Sequence, residues 1–210
     1  MQQNLFITGI GTGIGKTVCS AVLSQYFQTD YWKPVQSGDL EFTDTMAIQY
    51  LSNQQIFCHP ETYRLQRAAS PHQSASEEGI SIGLDDFKIP TADNRIIVEG
   101  AGGLMVPLSE EKMMIDLITH LNIPVALVAK DYLGCINHTL LSVFLLKEKK
   151  INIEYLILNG HFIPDTERVI LKHLPPETKI IRIPAIKILS PESIQTIINN
   201  LKIDENEYIR

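Results

Sequence analysis

The sequence predicts a single α/β domain: a mainly parallel β-sheet with helices on both faces. Short apolar runs alternate with segments of helical spacing along the chain, the order that joins parallel strands by right-handed crossovers. Several runs, such as VALVA (125–129) and YLILN (155–159), are nearly continuous in apolar residues, as strands covered on both faces are. The length of 210 residues suits one domain that buries about 70% of its unfolded surface without a disulfide or metal staple.

Taken in order, strands are expected at 5–8 (LFIT), 31–35 (YWKPV), 95–99 (RIIVE), 125–129, 155–159 and 179–183 (KIIRI). Helical periodicity covers 16–27, 114–121, 136–149, 165–174 and 191–201. The stretch 52–92 is richer in Ser, Gln, Pro and Asp and is expected to be an insertion of loops and short helices near the site, inside one domain spanning 1–210. The DENEYIR tail (204–210) is polar and expected to fray.

Composition removes several functional classes. A content of 44% hydrophobic and 20% charged residues is that of a soluble globular chain. The net charge of −6 is the wrong sign for a nucleic-acid binder. No apolar run is long enough to span a bilayer, and MQQNLFITG lacks the basic start and long apolar core of a secretory signal. Cys19, Cys58 and Cys135 show no paired spacing, so neither a disulfide framework nor a zinc site is indicated, and a cytoplasmic setting is expected.

The chemistry starts at the carboxyl end of the first strand, the edge where such sheets bind ligands. TGIGTGIGKT (8–17) departs from the strict G-x-x-x-x-G-K-[ST] pattern, because Ile10 stands at the first glycine position; it is not G-x-G-x-x-G either. Gly-Lys-Thr between a strand and a helix nevertheless points to a phosphate loop rather than a bare glycine turn. Backbone amides can cradle phosphates there, Lys16 can reach the outer ones, and Thr17 can ligate Mg²⁺. A partition-type switch ATPase would carry a lysine at Gly11, and a GTPase an N-K-x-D motif that AKDY (129–132) lacks.

Lys33 is expected on that rim, and two carboxylates stand in suggestive places. Lys33 in WKPVQSG follows the first helix; alone it reads as a solvated edge lysine, but beside a phosphate loop it becomes a second cation for a transferred phosphoryl group. Pro34 biases it toward an extended backbone. Glu99 ends RIIVE before GAGG, where phosphate-loop enzymes carry a metal carboxylate, although a plain strand end and turn would look the same. Asp44 either caps the following helix or binds metal.

FITG…TGIGKT, KPVQSG, TD before a helix, VEGAGGLMVPL, LGCINHTLL and LILN together resemble the dethiobiotin synthetases, in order and spacing, from residue 5 to about 185. The resemblance implies a P-loop NTPase-like fold. It also implies a cytoplasmic, homodimeric cyclo-ligase that joins 7,8-diaminononanoate, CO₂ (or bicarbonate) and MgATP into dethiobiotin, ADP and phosphate. It assigns Thr12, Gly13, Ile14, Gly15, Lys16, Thr17 and Val18 to the phosphates, and Thr17, Asp44 and Glu99 to the metal. Lys16 and Lys33 become the catalytic cations, with Lys33 and Ser37 on the carbamate.

By the same resemblance Gly100, Ala101 and Gly102 continue the nucleotide wall, and Asn159, Gly160, Ile183, Pro184 and Ala185 lie beside adenine. Gly134, Cys135, Ile136 and Asn137 would hold the substrate's carboxylate tail across the dimer interface. The chain departs from the family at Gly11 and Gly13, where members often carry acidic or polar side chains. Two competing expectations are a nucleotide-switch ATPase, opposed by Gly11, and an inactive relative, opposed by the intact lysines and carboxylates.

Overall fold

The computed structural model describes residues 3–206. All five residues of β1 (Leu5–Gly9) are buried, and the strand serves both halves of the core. Phe6 joins one apolar cluster with Val98, Val125 and Leu127, while Leu5 and Ile7 join another with Val22, Leu23 and Ile97. Alternate side chains thus supply opposite faces of one sheet, which is why an unbroken apolar run marks a strand here.

The chain continues through α1 (Lys16–Phe27), β2 (Asp30–Trp32), β3 (Val35–Ser37), α2 (Asp44–Leu51), β4 (Cys58–His59), β5 (Tyr63–Leu65) and α3 (Pro71–Glu77). It then forms β6 (Ile96–Gly103), α4 (Met114–Leu121), β7 (Val125–Lys130), α5 (Cys135–Glu148), β8 (Ile153–Asn159), α6 (Pro164–Leu171), β9 (Lys179–Ile183), α7 (Pro191–Asn200) and β10 (Ile203–Asp204). Eight strands make the main sheet in the order β10-β9-β8-β7-β1-β6-β2-β4, and only the β9–β10 pair is antiparallel. The phosphate loop leaves the centre of this sheet, with β6 and β7 on either side of β1.

Four local expectations need correction. YWKPV is not one strand: β2 stops at Trp32 and pairs with β6, whereas β3 starts at Val35 and pairs with β5 in a separate two-stranded sheet. Pro34 has no N–H to donate to a ladder, so the chain changes sheets there. The Glu99 strand does not end at the glutamate but runs on to Gly103, because Gly103 still pairs with Gly9 of β1. Residues 52–92 include two short strands, β4 and β5, besides loops and α3. Asp204 lies in β10 and Asn206 is buried; residues 207–210 of the expected fraying tail lie outside the described residues.

Candidate active site

Strand ends and helix starts converge on a cavity of about 770 Å³ at the carboxyl edge of the sheet. Its wall includes Thr12, Gly13, Gly15, Lys16, Thr17 and Val18 from the loop and α1, Lys33 and Ser37 from the β2–β3 crossing, Asp44 from α2, and Glu99, Ala101 and Gly102 from β6. The loop needs its glycines: Gly13 and Gly15 take φ of 71° and 88°, and a Cβ on Gly15 would sit 2.2 Å from Asn159 Nδ2. A side chain at position 13 would have to adopt that left-handed backbone.

At the centre lies a hydrogen-bonded cluster of charges. Lys33, 4% exposed, places Nζ 2.6 Å from Asp44 Oδ2 and 3.1 Å from Glu99 Oε1, and donates to the Gly100 carbonyl at 3.2 Å. The Thr17 hydroxyl faces the same carboxylates, 2.6 Å from Asp44 Oδ1 and 3.0 Å from Glu99 Oε1. Lys16 Nζ donates to the Gly11 carbonyl at 3.1 Å, across the loop. The phenol of Tyr31 donates to the other Glu99 oxygen, Oε2, at 3.0 Å.

The electrostatics follow from burial and pairing. Burial alone would lower the Lys33 ammonium; Glu99 and Asp44 outweigh it, so Lys33 lies above the ordinary lysine value. For Asp44, burial pushes upward, but Lys33 and the Thr17 hydroxyl hold the carboxyl below its usual range. Lys16 is shifted down, by desolvation first and then by Lys33, against the pull of Glu99 and Asp44.

Asp44 does not cap α2. Thr43 does so, its hydroxyl accepting from the Met46 amide at 3.2 Å, which leaves the Asp44 carboxylate free to turn toward Thr17 and Lys33. The fit to a divalent ion rests on the donor chemistry. A hydroxyl and two carboxylates form a hard oxygen set, and the Lys33 amine between the carboxylates marks a position where positive charge is balanced. Among the described residues no three His, Cys, Asp or Glu side chains form a metal cage, so phosphate oxygens would have to complete the shell.

Other anticipated residues stand apart from the cavity wall. Ile14 is buried beneath the loop, and its carbonyl accepts from Asn159 Nδ2 at 2.7 Å. Asn159 pairs with Ile183 across β8 and β9, and the Gly160 amide donates to the Ile183 carbonyl at 2.8 Å, so 159–160 and 183–185 form one corner behind the loop. Gly100 is buried against Phe6 and Met114, where an added Cβ would collide with the Phe6 ring. Gly134–Asn137 form the turn and start of α5 and contribute nothing to the cavity wall of their own chain.

The structure adds residues that the motifs did not single out. Gln36 is buried in the wall; its Oε1 accepts from the Asp44 amide at 3.2 Å and its Nε2 donates to the Gly38 carbonyl. It could have been suspected from its place in KPVQSG. Phe42, Val106 and the 68–71 segment also line the cavity. That segment packs on Gly38, where a Cβ would lie 2.4 Å from Ala68 Cα, a long-range contact without a sequence signal. Tyr31 carries no motif signal either.

A glycine-rich loop with Lys-Thr at a helix start, beside a strand carboxylate on a central parallel sheet, defines a phosphate-loop nucleotide-binding protein. The family model described as an AAA domain matches residues 3–193. The chain is 44% identical to the ATP-dependent dethiobiotin synthetase BioD of Cytophaga hutchinsonii, covering 85% of this chain and 91% of that one. It is 40% identical to that of Brucella ovis, covering 98% and 97%. The chain belongs to the ATP-dependent dethiobiotin synthetase family, whose members are ligases. Among solved structures, a ParA family ATPase from Chlorobium tepidum matches with a TM-score of 0.57 at 16% identity, covering 93% of this chain and 90% of that one, a likeness of fold alone.

Proposed function

We propose that this chain closes the ureido ring of dethiobiotin from 7,8-diaminononanoate, CO₂ and MgATP. The observation that supports the reading is convergence: Lys16, Lys33, Thr17, Asp44 and Glu99, from four separate segments, line one cavity. A triphosphate and a carbamate are both anions, and bringing them into bonding distance requires positive charge concentrated in a partly buried site.

One substrate amine adds CO₂ and loses a proton to give a carbamate. A carbamate oxygen attacks the γ-phosphorus and displaces ADP, forming a carbamic–phosphoric anhydride. The second amine then attacks the carbonyl carbon, closes the ring and expels phosphate. Backbone amides of the loop would hold the α- and β-phosphates, and Lys16, in the cavity wall, would follow charge onto the β–γ bridge. Lys33 and Ser37, which also line the cavity, would contact the carbamate. Thr17, Asp44 and Glu99 would hold Mg²⁺, which neutralises phosphate charge when bound.

The second half of the site belongs in this reading to a homodimer. Gly134–Asn137 do not line their own chain's cavity, and Leu133, Leu141 and Phe144 stand exposed around and along α5. A partner's α5 start, a helix N-terminus, suits the carboxylate tail of the diamine. The adenine would lie at the Asn159–Ala185 corner. Three free cysteines, and no helix among the described residues long and apolar enough to cross a membrane, accord with a cytoplasmic enzyme.

The test is phosphate release from ATP with diaminononanoate and bicarbonate together, and with each omitted. Release should require both. ATP hydrolysis that ignores the diamine would instead indicate a nucleotide switch.

A further inference from the structure

We infer that Tyr31 is a positioning residue for the cation site: its phenol fixes the Glu99 carboxylate so that one oxygen, Oε1, faces Thr17 and Lys33. The inference rests on the metal assignment made above for Thr17, Asp44 and Glu99, and it concerns a residue outside the cavity wall.

The geometry is set by the strand register. Tyr31 of β2 lies opposite Ile97 of β6, and Glu99 follows two residues later on the same face of the sheet. A long phenol reaches along this diagonal, and its hydroxyl lies 3.0 Å from Glu99 Oε2. Both side chains are sealed from solvent, Tyr31 at 0% and Glu99 at 1% exposure. No water can therefore replace the phenol as a donor to Oε2 without opening the core.

The division of labour at Glu99 is clear in the contacts. Oε2 accepts from the Tyr31 phenol, whereas Oε1 lies 3.0 Å from Thr17 Oγ1 and 3.1 Å from Lys33 Nζ. A buried carboxylate with one oxygen unsatisfied would rotate to share its good partners. That rotation turns Oε1 away from the place where a divalent ion would meet Thr17. Partners that orient ligands in this way typically govern metal affinity by 10- to 100-fold.

Tyr31→Phe keeps the ring and its packing and removes only the donor. The test follows binding of a fluorescent ADP analogue to the full chain across a Mg²⁺ titration, with an EDTA series for metal-free affinity. The expected result is a Mg²⁺ midpoint raised about tenfold, with EDTA-series affinity within about twofold of the parent. Glu99→Gln and the double variant complete a cycle. If Tyr31 acts through Glu99, adding Tyr31→Phe to Glu99→Gln moves the midpoint no further.

A midpoint for Tyr31→Phe within twofold of the parent overturns the inference, as does an equal loss of ADP affinity with and without Mg²⁺. The Glu99→Gln arm separates the two levels of the argument. If it leaves the midpoint unmoved, the metal assignment itself fails; if it moves the midpoint while Tyr31→Phe does not, only the role of Tyr31 is lost. Neither arm depends on the diamine chemistry.

Discussion

The cluster at β1, β2 and β6 and the turn that starts α5 both lie at carboxyl ends of strands, yet they differ in how far one chain completes them. In the first, Lys33 is buried and bonded to Asp44, Glu99 and the Gly100 carbonyl, and Thr17 joins the same carboxylates. In the second, Gly134 takes a φ of 104°, Cys135 is buried, and the neighbouring Leu133 is fully exposed. The first region is assembled by the fold; the second presents a surface. The contrast separates a cluster of charges that one chain builds from a turn that, in the proposed function, binds the substrate tail only with a second chain.

The strongest challenge to this contrast is Lys33→Ala. Turnover in the diamine-dependent assay should fall at least ~10²-fold, the scale for losing a key donor to transition-state charge. Affinity for an ATP analogue should hold within about threefold, because the loop and Lys16 remain. Near-normal turnover would remove Lys33 from the chemistry and leave it a structural counter-ion for Asp44 and Glu99.

An intermediate effect is expected from Leu141→Asp on the exposed side of α5. It should shift the chain to monomer by analytical ultracentrifugation and raise the diamine KM by about tenfold, the scale of losing one interface anchor. ATP-analogue affinity should stay within about twofold. A parent chain that sediments as a monomer at working concentration would break the comparison at its second term.

The smallest effect sharpens the boundary of the first region. Asn159→Ala removes the bond from Nδ2 to the Ile14 carbonyl, one neutral hydrogen bond of about 1 kcal/mol. Nucleotide affinity should weaken by about fivefold, read by the same analogue binding. If discrimination between adenine and guanine nucleotides also falls, Asn159 reads the base as well as steadying the loop.

The main strands were legible in the sequence wherever a run was apolar on both faces, because β1, β7 and β8 are buried on both sides and leave no polar alternation. α1 and α4 begin and end where periodicity placed them, and Lys16, Thr17 and Lys33 were visible through local motifs. The break at Pro34, by contrast, required knowing that two different sheets receive the strands on either side. Asp44 was ambiguous in one dimension, since capping and metal binding use the same residue type; Thr43 took the cap and released the carboxylate.

By itself, the sequence determined the alternating α/β order, the phosphate loop and the residue types able to carry positive charge to an anion, because these depend on neighbours within a few positions. Tertiary structure alone decided that Asp44 and Glu99 share Lys33 and Thr17, that Tyr31 holds one oxygen of Glu99, and that the α5 turn stays outside its own chain's cavity. Those facts depend on strand register and helix packing, which bring residues as far apart as 17 and 99 within 3.0 Å. No local pattern encodes such a distance.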